Sequence, residues 1–169
     1  MKMLKIYGGL APEKVDALEK EFNLHLPADY RQFLLEVGGG IADTYHEEEK
    51  NTIPVEGLND SISVAALYGI GNQPAHCSIE KAMRDYGDEI PPNSVIIGIE
   101  CYDGYLVLEC GGENAGVWFW DDCCEYEATT EEFGVYFVAD SFTEFINLLG
   151  GKLELPDGRV WKPTEGVSV

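Results

Sequence analysis

Residues 21–40 read Glu-Phe-Asn-Leu-His-Leu-Pro-Ala-Asp-Tyr-Arg-Gln-Phe-Leu-Leu-Glu-Val-Gly-Gly-Gly, and this stretch decides the architecture. Pro27 suits the opening of a helix, where its missing N–H is no loss. Tyr30, Phe33, Leu34 and Val37 then recur at helical spacing on one face, and Gly38-Gly39-Gly40 stops the helix. Upstream, Val15, Leu18 and Phe22 mark a second apolar stripe over Pro12–Phe22, with Glu13 complementing the dipole at its start. The link Asn23-Leu24-His25-Leu26 is so short that the two helices are expected to pack on each other.

Downstream the period changes. Residues 41–60 have no clear repeat and carry Glu47-Glu48-Glu49-Lys50, which reads as a solvated loop with a short strand near Ile53–Val55. Residues 62–68 alternate weakly as a strand, and Ser78 caps a helix running to Tyr86 with Ile79, Ala82, Met83 and Tyr86 on one side. Val95–Cys101 and Tyr105–Cys110 flank Asp103-Gly104, a two-residue hairpin signal. That register puts Ile97, Ile99, Cys101, Leu106, Leu108 and Cys110 on a core face, and Glu100, Tyr102, Tyr105, Val107 and Glu109 on a wetter one.

Two further strands, Gly116–Asp121 and Gly134–Val138, extend an antiparallel meander. Alternation places Trp118 and Trp120 on one face and Phe119 on the other, and at least one of the two tryptophans is expected in the core. Ser141 and Glu144 form a capping box for a last helix with Phe142, Phe145, Ile146 and Leu149. The tail turns at Pro156-Asp157-Gly158 as a small hairpin. The expectation is a single α+β domain, with a mostly antiparallel sheet of about five or six strands and helices packed on it.

Composition narrows the function. The 169 residues carry 31 Asp and Glu against 11 Lys and Arg, a formal net charge of -20. Such a chain repels nucleic acid and anionic membrane and favours basic partners. No apolar run is long enough to span a bilayer, and the opening residues lack the core of a signal peptide. Five cysteines, at 77, 101, 110, 123 and 124, form no C-x-x-C pair. These features suit a cytoplasmic protein with reduced thiols.

Catalytic signatures are weak. Gly38-Gly39-Gly40 lacks the Lys-Ser/Thr of a phosphate loop, and His25, His46 and His76 are scattered without metal-ligand spacing. Carboxylates around Cys123-Cys124 disfavour a thiolate there. Asp121-Asp122 is the best acid–base pair, but an acidic binding rim is the stronger reading. No catalytic residue, metal or cofactor is expected.

The order of elements resembles the SUKH superfamily, which includes many bacterial immunity proteins. Residues 21–40 resemble its opening: an amphipathic helix, then a Leu-Pro-x-Asp-Tyr turn into a helix ending in a glycine pair. Leu67-Tyr68-Gly69, Ile90-Pro91 with Val95-Ile96-Ile97-Gly98, Asp103-Gly104, Gly116–Asp121 and Ala139-Asp140-Ser141-Phe142 follow in the family's order. The likeness covers residues 12–149 and leaves 150–169 as a C-terminal hairpin and tail. Gly38 stands where the family often has Asn, and Tyr105 where it often has Gly.

The resemblance implies a non-enzymatic immunity protein that binds a toxin domain, often a nuclease with a basic cleft, inside the cell. Its expected contacts are Tyr45, Glu47, Glu48 and Glu49, together with Trp120, Asp121, Asp122, Glu125, Tyr126 and Glu127. Aromatic anchors in an acidic field are what a basic partner needs. The sequence leaves the oligomeric state open, with a monomer or weak dimer as the expectation. Rival readings are a regulatory interaction module of the same fold, and an enzyme using the Asp121-Asp122 region.

Overall fold

A computed structural model describes residues 1–71 and 74–164. In chain order its elements are β1 (Met3–Ile6), α1 (Pro12–Phe22), α2 (Ala28–Glu36), β2 (Gly40–Ala42), β3 (Thr52–Val55) and β4 (Asp60–Leu67). There follow α3 (Ile79–Tyr86), β5 (Ser94–Glu100), β6 (Tyr105–Glu109), β7 (Gly116–Trp120), β8 (Val135–Ala139), α4 (Phe142–Leu148), β9 (Leu153–Glu154) and β10 (Val160–Trp161).

The helical opening forms as its spacing predicts. Tyr30, Phe33, Leu34 and Val37 have no solvent exposure. The α2 helix ends as the Gly38 N–H reaches back to the Phe33 carbonyl at 3.1 Å and Gly38 takes a left-handed φ of 74°, which turns the following chain out of the helix. A side chain at Gly38 would also strike the Gly8 carbonyl, where the chain crosses closely. Arg31 of α2 pairs with Asp16 and Glu19 of α1, tying the two helices on their solvent side.

The sheet is larger than expected. Eight strands take part, in the order β1-β2-β4-β5-β6-β7-β8, with β3 pairing only with β4. The extra strands are β1 and β2, which lie in segments without a period-two pattern. Every pairing along this path is antiparallel, and β5 to β8 form the expected meander. The tail hairpin β9–β10 is a separate two-stranded ribbon. Its Trp161 packs edge-on to Phe33 and donates its indole N–H to Glu36 at 2.6 Å.

The hairpin register differs from the two-residue expectation. Ile99 lies opposite Tyr105, Gly98 opposite Leu106 and Val95 opposite Leu108, with a bulge at Ile97. The loop is therefore Cys101–Gly104, and the reason is electrostatic. The Glu100 carboxylate folds back and accepts the N–H groups of Tyr102 at 2.7 Å and Gly104 at 3.2 Å. Those bonds hold a wider turn than Asp103-Gly104 alone would make. Gly104 is needed there because a Cβ would lie 2.3 Å from the Phe119 ring.

Three placements change with the register. Cys101 is exposed in the loop, Glu100 is buried at 1% exposure, and Ile99 leaves the expected core face to lie half-buried opposite Tyr105, while Val107 keeps its outer-face position but is buried there. Alternation correctly puts the tryptophans together, but the core takes Phe119, which has no exposure, and leaves Trp118 and Trp120 half-buried outside. On the inner face Leu106, Leu108, Val117 and Phe119 are sealed from solvent. Tyr30, Phe33, Phe142 and Phe145, from α2 and α4, form one aromatic cluster within this core.

Candidate functional site

The acidic residues singled out in the sequence fall into two roles. Asp121 is 2% exposed and ends β7 pointing inward. Its two carboxylate oxygens accept the N–H groups of Glu125 and Tyr126, each at 3.0 Å, and so shape the loop that follows. Tyr126 is also buried. Its ring packs edge-on to Phe119 and its hydroxyl donates to Glu100 at 3.2 Å. These two residues build the loop and do not present themselves to a partner, so their expected contact role is corrected. Asp121 and Asp122, adjacent in the sequence, are set apart by burial, the first inside and the second exposed.

Asp122, Glu125 and Glu127 are exposed on the loop that Asp121 organises, as are Cys123 and Cys124. Slight desolvation, joined by the charges of Asp122, Asp103 and Glu125, raises the Cys123 thiol above its usual range. In the first loop Tyr45 is 90% exposed, and Glu48 and Glu49 face water. Glu47 is half-buried and bonded to Lys2 and Lys50, which takes it into an internal ion network.

The structure brings these two loops to one end of the sheet. The Cys101–Gly104 turn stands between them, with Cys101 beside Thr44 and Glu48, and Tyr102 edge-on to Tyr126 at 6.2 Å. The result is one acidic end carrying Glu48, Glu49, Asp122, Glu125 and Glu127, with Tyr45 and Tyr102 exposed among them.

Trp120 belongs to a different surface, which the sequence reading did not resolve. On the outer face of the meander, Trp120 lies opposite Tyr105, Trp118 opposite Val107, and Ser94 opposite Glu109. Across the next ladder Trp118 meets Phe137 edge-on at 5.3 Å, and Trp120 lies opposite Val135. Tyr86 of α3 packs on Tyr105 at 5.1 Å and on Trp120 at 6.2 Å. The turn after α3 then runs along this face, leaving a groove of about 320 Å³ bounded by Glu89, Ile90 and Pro91 on one side and by the tryptophans and Val135 on the other.

Val135 and Phe137 remain 44% and 46% exposed. A contiguous aromatic surface of this kind marks a binding site more often than a resting fold. The signal that would have exposed it is the pair of half-buried faces. Of the three aromatics of β7 Phe119 enters the core, so the tryptophans on the opposite side need another partner.

Among the described residues no three His, Cys, Asp or Glu side chains converge as a metal site would require, and no helix is long and apolar enough to cross a membrane. A Bacillus subtilis (strain 168) protein described as SPbeta prophage-derived uncharacterized protein YokK is 27% identical over 149 residues, covering 79% of this chain and 71% of its own. Residues 9–148 match the model of the SMI1 / KNR4 family (SUKH-1), through the helical opening, the meander and the closing helix described above. The chain belongs to the SMI1 / KNR4 family (SUKH-1).

Proposed function

We propose that this chain is a non-catalytic immunity protein that binds and neutralises a basic toxin domain in the cytoplasm. The observation that carries the reading is the apolar outer face where half-buried Trp118 and Trp120 meet exposed Val135 and Phe137, set in a chain of net charge -20. Rigid aromatic anchors contribute most of the energy in tight protein interfaces, and an acidic field accelerates encounter with a basic partner. The family's bacterial branch, with its many immunity proteins, and the prophage setting of the Bacillus subtilis relative agree with this role.

The test is co-expression with the toxin domain encoded beside the gene. A toxin lethal alone should be tolerated with this chain present, and the purified pair should bind with an affinity that falls as salt rises. Charge reversal at Asp122 and Glu125, both exposed, should weaken binding without unfolding the protein. Full toxicity in the presence of the chain, together with absent binding at low salt, would reject the reading in favour of a regulatory module.

A further inference from the structure

We propose that the groove on the outer face of β5–β8 receives an arginine side chain presented by the basic partner. The inference rests on the binding reading above and assigns its chemistry. Three independent features of the groove point to this occupant.

The first is charge. The groove's only ionisable groups are the carboxylates of Glu89 and Glu109, and no Lys or Arg lines it. With 31 acids against 11 Lys and Arg most carboxylates of this chain go unpaired, and only some, such as Glu19 with Arg31, Asp85 with Lys81 and Glu21 with Arg84, form ion pairs among the described residues. Glu89 and Glu109 have no ion-pair partner among the described residues, although they flank one cavity. Two carboxylates beside apolar walls favour a cation brought from outside.

The second is the floor. Ser94 is 2% exposed, lines the groove opposite Glu109, and its Oγ has no hydrogen-bond partner among the described residues. Buried hydroxyls are nearly always satisfied, so an orphan facing a cavity asks for a polar partner from the ligand. The indole N–H of Trp118 is already committed to the Asn114 carbonyl at 2.9 Å. The two carboxylates accept, Ser94 Oγ can accept as well as donate, and Asn114 at the rim can do either, a set that accommodates a group carrying many N–H donors in one plane.

The third is the wall. Trp118 and Trp120 project from the same face of β7 and are held by Phe137 and Tyr105. A guanidinium stacks on an indole face and gives up its hydration more readily than an ammonium does. The volume of about 320 Å³ lies at the small end of ligand sites and admits one long side chain with its backbone, but not a folded segment. These features together select arginine over lysine.

Indole resonances provide the test in the full chain. Trp118 and Trp120 line the groove, whereas Trp161 sits against Phe33 with its N–H on Glu36 and serves as an internal reference. The ¹⁵N-labelled protein is titrated with N-acetyl-arginine N-methylamide, its lysine counterpart and its neutral citrulline counterpart. The arginine probe should move the Trp118 and Trp120 cross-peaks saturably, at least about threefold more tightly than the lysine probe, while citrulline moves neither.

Glu89→Gln with Glu109→Gln should weaken the arginine response about tenfold, and Ser94→Ala about threefold. An unchanged Trp161 peak certifies that each variant is folded. Equal response to citrulline, parallel movement of Trp161, or no saturable shift overturns the inference. The toxin assay separates the two ideas. Toxin binding that survives Glu89→Gln/Glu109→Gln and Trp118→Ala refutes the arginine site but leaves neutralisation intact. An arginine response without toxin binding refutes neutralisation alone.

Discussion

Replacing Glu100 tests the account of how the acidic end of the sheet is built. The carboxylate is 1% exposed and accepts from the Tyr102 N–H, the Gly104 N–H and the Tyr126 hydroxyl. In Glu100→Ala, the Gly104 N–H is left buried without its side-chain acceptor, which costs about 1–3 kcal/mol. The Tyr102 N–H is partly open to water and Tyr126 keeps the Ser61 carbonyl at 3.4 Å, so these lose less. With the small cavity left by the side chain, the sum is about 2–4 kcal/mol, a sizeable share of the roughly 5–15 kcal/mol that holds a domain together.

Glu100→Gln keeps an acceptor of the same shape and should behave differently. Burial pushes the Glu100 carboxyl up, against the opposing pull of its N–H and hydroxyl donors. A folded-state pKa above the unfolded value of 4.5 means the folded protein holds this proton more tightly. The stability contributed by the group is then complete below that unfolded value, and is lost as pH rises through the folded one. Glutamine never ionises, so Glu100→Gln should gain on the wild type as pH rises above the unfolded value of 4.5. Urea unfolding of the three proteins on both sides of that value measures both effects. An alanine variant within about 0.5 kcal/mol of wild type, or a glutamine variant that tracks wild type in parallel at every pH, would refute the reasoning.

Three more outcomes follow from burial and capping. Phe119→Ala should cost about 3–5 kcal/mol in urea unfolding, because its ring is sealed in the core, while Trp118→Ala on the outer face should cost less than about 1.5 kcal/mol. Ser141→Ala should lower stability by about 1 kcal/mol through loss of the Oγ that accepts the Glu144 N–H at 3.1 Å, with Ser141→Asn close to neutral. In native protein a thiol reagent should modify Cys101, Cys123 and Cys124 and reach Cys77 and Cys110 only on unfolding, since Cys77 is buried and burial pushes Cys110 up to about 12.

The sequence reading succeeded where side-chain spacing is local. Helices α1 and α2, the Ser78 and Ser141 caps, and the order of the meander all depend on residues within a few positions of each other. The capping box closes on only one side, however, because Glu144 turns to Asn147. The reading failed where a distant group chooses between two locally equal options. Alternation cannot say whether Phe119 or the Trp118–Trp120 pair faces inward, and the Phe119 ring goes inward where Gly104 leaves room for it.

The same holds for Asp121 and Asp122, which are adjacent and alike in composition. Only the direction of β7 sends Asp121 inward, to accept two backbone N–H groups, and Asp122 outward. The hairpin register was misread for a related reason. Asp103-Gly104 is a good two-residue turn by itself, but Glu100 rewards a wider loop by capping two of its N–H groups.

The acidic end and the aromatic groove should then contribute to binding at different stages. Glu48, Glu49, Asp122, Glu125 and Glu127 lie exposed on loops, so their effect on a partner acts mainly through the field, which salt screens over roughly 8 Å at physiological strength. Neutralising Asp122, Glu125 and Glu127 together should slow association by about tenfold at low salt and have little effect on dissociation. Glu109 and Trp118 act at contact distance within a groove lined mainly by apolar side chains, so Trp118→Ala and Glu109→Gln should speed dissociation about tenfold or more and leave the salt dependence of association nearly unchanged. Stopped-flow binding to the proposed toxin partner resolves the two. If the loop variant altered dissociation and the groove variants altered association, the assignment of steering to the loops and anchoring to the groove would be reversed.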